Sequence, residues 1–149
     1  MIAFVFPGQG SQYVGMGKEL CDEFAIARNT FEEANDSLGF NLSRLCFEGE
    51  QSELSLTTNA QPALLTTSIA CLRVLQNETS LNPEFVAGHS LGEYTALVAN
   101  GAFKLNDAVN VVRKRGEFMQ EAVPVGVGAM AAVLGLEKEK VEDICRQVS

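Results

Sequence analysis

The chain has 149 residues, 46% hydrophobic and 20% charged, which suits about one globular domain with a real core. Its 11 basic and 19 acidic residues leave a net charge of −8, so nucleic acid is not expected as a partner, because phosphate binding needs a basic face. No apolar stretch reaches the ~18 residues of a membrane span, and no basic segment precedes the first apolar run, so neither a membrane nor a secretory signal is expected and the chain reads as cytoplasmic.

Ile2 to Phe6 is a continuous apolar run closed by Pro7-Gly8. It predicts a strand buried on both faces, as in a parallel sheet. Gly8, Gly10, Gly15 and Gly17 mark an irregular loop. Lys18 to Asp36 carries Leu20, Phe24, Ala27, Phe31 and Ala34 at helical spacing, as one broken helix or two. Asn41 to Glu53 reads as short helical pieces and turns.

Asn59 is placed to cap a largely buried helix with Pro62 in its early turn and Leu64, Leu65, Ile69, Leu72 and Leu75 along it. After a polar connection, Glu84 to Ala87 predicts a second strand, and Glu93 to Asn100 a helix. Asn106 is placed to cap a further helix through Ala108, Val109, Val112, Gly116 and Met119, with Pro124 beyond its end. Residues 125–128 read as a hinge, Ala129 to Leu134 as a strand, and Glu137 to Val148 as an amphipathic helix.

Cys21, Cys46, Cys71 and Cys145 lie far apart without a C-x-x-C spacing, so no zinc or thioredoxin-like site is indicated and no metal is expected. Each sits among apolar neighbours and reads as a small core residue.

Chemistry concentrates at Gly88-His89-Ser90-Leu91-Gly92, between the second strand and a helix. Strand, sharp turn with a central Ser, then helix is the layout of a nucleophile elbow. The turn lifts the Ser90 hydroxyl to a helix N-terminus, where backbone N–H groups and the dipole favour a developing oxyanion. A serine needs a general base within hydrogen-bond reach. The one histidine is His89. On so sharp a turn its side chain points away from the hydroxyl, so it is expected to pack beside the elbow or border the pocket.

The loop Gly8-Gln9-Gly10-Ser11-Gln12 also follows a strand. Tyr13 stands where a dinucleotide fingerprint needs its third glycine, and no Gly-Lys-Ser/Thr follows. The Gln9 loop and the Ser90 turn both fall at the carboxyl ends of parallel strands, where ligands bind. Backbone N–H groups of Gln9 and Leu91 would then form an oxyanion hole; the alternative is a plain flexible turn. In Arg113-Lys114-Arg115, Arg115 falls on or near the inner face of its helix while Arg113 and Lys114 can face solvent. An inward arginine holds a carboxylate, either a structural one or one on a substrate.

Four segments together resemble malonyl-CoA:acyl carrier protein transacylases: Phe6-Pro7-Gly8-Gln9-Gly10-Ser11-Gln12, Ala60-Gln61-Pro62-Ala63-Leu64, Gly88-His89-Ser90-Leu91-Gly92-Glu93 and Arg115-Gly116-Glu117-Phe118-Met119-Gln120. The resemblance runs along essentially the whole chain. It implies Ser90 as nucleophile, an oxyanion hole from the N–H groups of Gln9 and Leu91, and Arg115 paired with the malonyl carboxylate. It also implies malonyl-CoA and an acyl carrier protein as partners, and no cofactor.

The fold implied is an α/β, parallel-sheet, hydrolase-like acyltransferase subdomain over 1–124, with the start of a ferredoxin-like insertion over 125–149. Family members are roughly twice as long. Their catalytic His lies in the half without a counterpart here, so the chain reads as an N-terminal half whose isolated form is expected to be inactive. Two other readings stand beside this one: a serine esterase of the α/β-hydrolase type, and a non-catalytic fragment.

Overall fold

A computed structural model of the chain describes residues 1–124, 126–127 and 133–148. Two strands and eight helices are found among them: β1 (Ala3–Phe6), α1 (Lys18–Glu23), α2 (Ala25–Leu38), α3 (Leu42–Glu48), α4 (Gln51–Leu54), α5 (Thr57–Glu78), β2 (Phe85–Gly88), α6 (Leu91–Ala99), α7 (Leu105–Ala122) and α8 (Lys138–Val148). The strands pair in parallel, Ala3 opposite Phe85 through Phe6 opposite Gly88. This is a small α/β architecture, and the register brings the carboxyl ends of both strands level.

β1 is covered on one face only, contrary to the expectation of burial on both. Phe6 is buried and Phe4 and Val86 pack on the helical core, whereas Val5 is 75% and Phe85 59% exposed on the other face. The described helices form a layer on one side of the two-stranded sheet, so the alternate side chains remain open.

The helical layer is built around α5, in which every residue from Asn59 to Thr66 is buried. A helix that is apolar or small on all sides belongs inside a domain. Leu65 and Ile69 of α5 join Phe31 of α2 and Val109 and Val112 of α7 in the core. The region from Lys18 forms two helices because Phe24 is extended between them. Cys21 and Cys46 are buried as expected, but Cys71 and Cys145 are exposed.

Neither predicted cap holds. α5 begins two residues before Asn59, because the Leu56 carbonyl already accepts from the Asn59 and Ala60 N–H groups, both at 2.8 Å. α7 begins before Asn106, with the Lys104 carbonyl accepting from Ala108 N–H at 2.9 Å. Pro62 consequently falls beyond the first turn of α5. It has no N–H to give the Thr58 carbonyl, and Arg113 Nη1 donates to that carbonyl at 3.3 Å. Gly116 lets α7 approach this point, since a Cβ there would sit 2.7 Å from the Thr57 carbonyl oxygen.

The strand expected over 129–134 falls mostly on residues outside those described; Val133 and Leu134 carry no regular structure. α8 forms where the pattern placed it, and none of its residues is buried.

Candidate active site

Ser90 stands between β2 and α6 with φ 53° and ψ −101°, the one non-glycine residue at positive φ among those described. Such a conformation costs on the order of 1–3 kcal/mol and persists only where its surroundings over-determine it. They do so here. A Cβ on Gly88 would lie 1.9 Å from the Gly92 carbonyl carbon, and one on Gly92 would lie 2.3 Å from the Phe6 carbonyl oxygen. The two glycines thus let the first turn of α6 lie directly on both strand ends. The His89 N–H donates to the Phe6 carbonyl at 3.2 Å, and its own carbonyl accepts from Gly92 N–H at 2.9 Å.

Leu91 opens α6, so its N–H is among those a helix leaves without an intrahelical acceptor. The first loop abuts the elbow: a Cβ on Gly8 would meet His89 Nδ1 at 2.6 Å and the His89 carbonyl at 2.8 Å. The His89 ring therefore lies against Gly8, beside the elbow.

Side-chain amides fasten this loop to the helical layer. Gln9 Nε2 donates to Thr57 Oγ1 at 3.1 Å. Gln51 Oε1, on α4, accepts from Val14 N–H at 3.0 Å, and within the loop Gln12 Oε1 accepts from Gly10 N–H at 2.8 Å. Two of these bonds tie the segment to α5 and α4.

The basic triplet divides. Arg113, expected to face solvent, instead lies over α5. It donates to Asn59 Oδ1 at 2.5 Å, stacks on Phe40 at 4.9 Å and lies 3.6 Å from a Glu117 carboxylate oxygen. The carbonyl left open by Pro62 draws it inward. Lys114 is exposed, as expected, and pairs with Glu117 at 2.9 Å. That hydrogen bond holds the Glu117 carboxyl below, and the Lys114 ammonium above, their ordinary ranges.

Arg115 faces the elbow. Its Nη2 donates to Ser90 Oγ at 3.1 Å, its Nη1 donates to Gln61 Oε1 at 2.7 Å, and its guanidinium lies 5.6 Å from the Tyr94 ring centre. Among the described residues it has no carboxylate partner. Of the two carboxylates the sequence left open for it, the structural one is thus not found there.

Gln61 is the site residue the sequence reading did not single out. Its signal is a polar amide inside a run of small and apolar residues, immediately before the helical proline. No imidazole or carboxylate is hydrogen-bonded to the Ser90 hydroxyl among the described residues; its partner is Arg115. No cluster of potential metal ligands is found among these residues, and none of their helices is long and apolar enough to cross a membrane.

A family model described as acyl transferase domain matches residues 3–148. The chain belongs to this family. As an acyl transferase domain it is 58% identical over 148 residues to the malonyl CoA-acyl carrier protein transacylase of Bacillus subtilis (strain 168), covering 99% of this chain and 46% of that protein. It is 49% identical over 147 residues to the protein of the same name from Escherichia coli (strain K12), covering 99% of this chain and 48% of the other.

Among solved structures, the acyl-carrier-protein-S-malonyltransferase of Bartonella henselae superposes with a TM-score of 0.91 at 52% identity, over 100% of this chain and 49% of that one. A malonyl-transacylase in complex with a type II PKS acyl-carrier protein superposes with a TM-score of 0.90 at 46% identity, over 99% of this chain and 48% of that one. This acyl transferase chain therefore spans about half the length of the relatives it matches.

Proposed function

We propose that this chain carries the nucleophile and acyl-selecting half of a malonyl-CoA:acyl carrier protein transacylase of fatty acid synthesis. The observation that carries the reading is the position of Arg115: a cation without a carboxylate partner among the described residues, 3.1 Å from a strained serine hydroxyl. Ser90 Oγ attacks the thioester carbonyl of malonyl-CoA. Its proton passes to a general base, for which the described residues offer no candidate at the hydroxyl. The tetrahedral oxyanion sits on the N–H groups of Leu91 and Gln9. Collapse breaks the carbon–sulfur bond, and coenzyme A leaves as the thiol with the proton returned by the base.

The malonyl-serine ester then passes to the carrier protein's phosphopantetheine thiol by the same steps in reverse. Arg115 selects the acyl group, since an unpaired guanidinium in a partly buried site favours an acyl chain ending in a carboxylate and penalises acetyl. The chemistry needs no cofactor and no metal, and a cytoplasmic setting suits it. In this reading residues 1–124 form the hydrolase-like subdomain and 125–149 open the ferredoxin-like one, with His89 bordering the pocket rather than acting as base.

The test is the fate of the acyl-enzyme. The complete protein is loaded with malonyl-CoA, and loss of the adduct is followed in buffer and with phosphopantetheinylated carrier protein. A transacylase holds its malonyl group until the carrier protein arrives. Rapid hydrolysis in buffer alone supports the esterase instead. Two observations favour a second reading for the isolated 149 residues, that of a non-catalytic fragment. With a donor rather than a base on Ser90 Oγ, and with Val5 75% and Phe85 59% exposed, they are expected to acylate slowly and to aggregate.

A further inference from the structure

We infer that Gln61 is a positioning residue for acyl-group selection, holding Arg115 with a neutral acceptor so that its positive charge stays available to substrate. The inference rests on the reading of Arg115 as the carboxylate-binding group. Gln61 has 0% exposure, and a primary amide is costly to bury unless both of its ends are satisfied. Both ends are directed at one face of α7: Oε1 accepts from Arg115 Nη1 at 2.7 Å, and Nε2 donates to Met119 Sδ at 3.4 Å. Arg115 and Met119 are four residues apart, one turn of the helix. The amide thereby fixes the guanidinium plane so that Nη2 points at Ser90.

The choice of a neutral acceptor carries the argument. Carboxylates do serve as partners in this fold: Glu33 holds Arg73 at 2.7 Å, and Glu117 lies beside Arg113 and Lys114 even though Arg113 also donates to the neutral Asn59 amide. Arg115 alone of these has a neutral acceptor and no carboxylate beside it among the described residues. A glutamate at position 61 would match the glutamine in size and could accept the same Arg115 hydrogen bond. It would also cancel the guanidinium charge and repel an incoming carboxylate. The amide orients without neutralising. Gln61 does not itself touch the reacting atoms; it acts through Arg115.

The test compares initial rates of Ser90 acylation from malonyl-CoA and acetyl-CoA, read by intact mass, in the complete protein and its Gln61→Glu, Gln61→Met and Arg115→Ala variants. The expected result is a fall in the malonyl-to-acetyl ratio of about tenfold or more for Gln61→Glu, the size of a coupled charge pair lost to an internal competitor. Gln61→Met, which removes the acceptor without adding charge, should lower the ratio less. A wild-type ratio in Gln61→Glu overturns the inference, as does a parallel loss of both rates, which would make Gln61 merely structural. Where Gln61→Glu does not fold, an unchanged ratio in Gln61→Met overturns it. Arg115→Ala separates the two levels: if it keeps the wild-type ratio, the assignment of Arg115 itself fails. If it loses the ratio while the Gln61 variants keep it, only the present inference fails.

Discussion

Arg115 Nη2 donates to Ser90 Oγ at 3.1 Å, across 25 residues of sequence. The contact joins the elbow at the end of β2 to the inner face of α7. It places a positive charge one hydrogen bond from the nucleophile, where a carboxylate two bonds beyond an acyl carbonyl could take its place as acceptor.

Arg113 and Arg115 should behave oppositely when replaced. Arg113 fills the gap that Pro62 leaves at Thr58 and holds Asn59. Arg113→Ala is expected to destabilise by about 1–3 kcal/mol, the cost of unsatisfied buried polar groups, with the malonyl-to-acetyl ratio unchanged. Arg115→Ala is expected to keep most of the stability and lose the ratio. Denaturant unfolding and acylation rates measured on both variants check the contrast.

Ser90 holds a backbone conformation that glycine adopts freely. Ser90→Gly should therefore be more stable than Ser90→Ala by about 1 kcal/mol, although both lose the nucleophile. Equal midpoints in urea would show that the elbow is not strained.

Gly88 and Gly92 admit no side chain, because the atoms a Cβ would meet are backbone and cannot move aside. Gly88→Ala and Gly92→Ala are expected to cost about 3 kcal/mol or more, at the upper end of overpacking. Thermal unfolding of each variant against the wild type measures the effect of the close approach; Gly10→Ala, with open space but φ +113°, gives for comparison the cost of backbone strain alone.

The cysteines report on the core. Burial pushes the Cys46 thiol up to about 12 and the Cys21 thiol up to about 11. Only the thiolate alkylates, so at pH 8 iodoacetamide should leave both unmodified in the native state and label them on unfolding. Mass mapping of the alkylated peptides gives the answer.

Much of this was legible in the sequence. The turn chemistry of Gly88 to Gly92, the apolar runs of both strands and the small-residue character of α5 are local signals, and local physics produced those elements. The basic triplet was visible as a cluster. Arg115 inward and Lys114 outward followed from helical spacing; the inward turn of Arg113 did not, because it answers a carbonyl that Pro62 leaves open 51 residues earlier in the chain. The caps at Asn59 and Asn106 failed for a related reason: α5 and α7 begin at the Leu56 and Lys104 carbonyls, leaving the Asn59 side chain to Glu53 and Arg113. Gln61 carries a role only when α5 and α7 are packed together. The open face of β1 could not be read either, since an apolar run records what a strand can bury and not what covers it.

The most direct measurement is the location of the acyl group. The complete protein, exposed briefly to malonyl-CoA, is digested and its peptides mapped by mass. The account predicts a malonyl group on the peptide holding Ser90, and none in the Ser90→Ala variant. A malonyl group on another residue, or one that persists in Ser90→Ala, would contradict it.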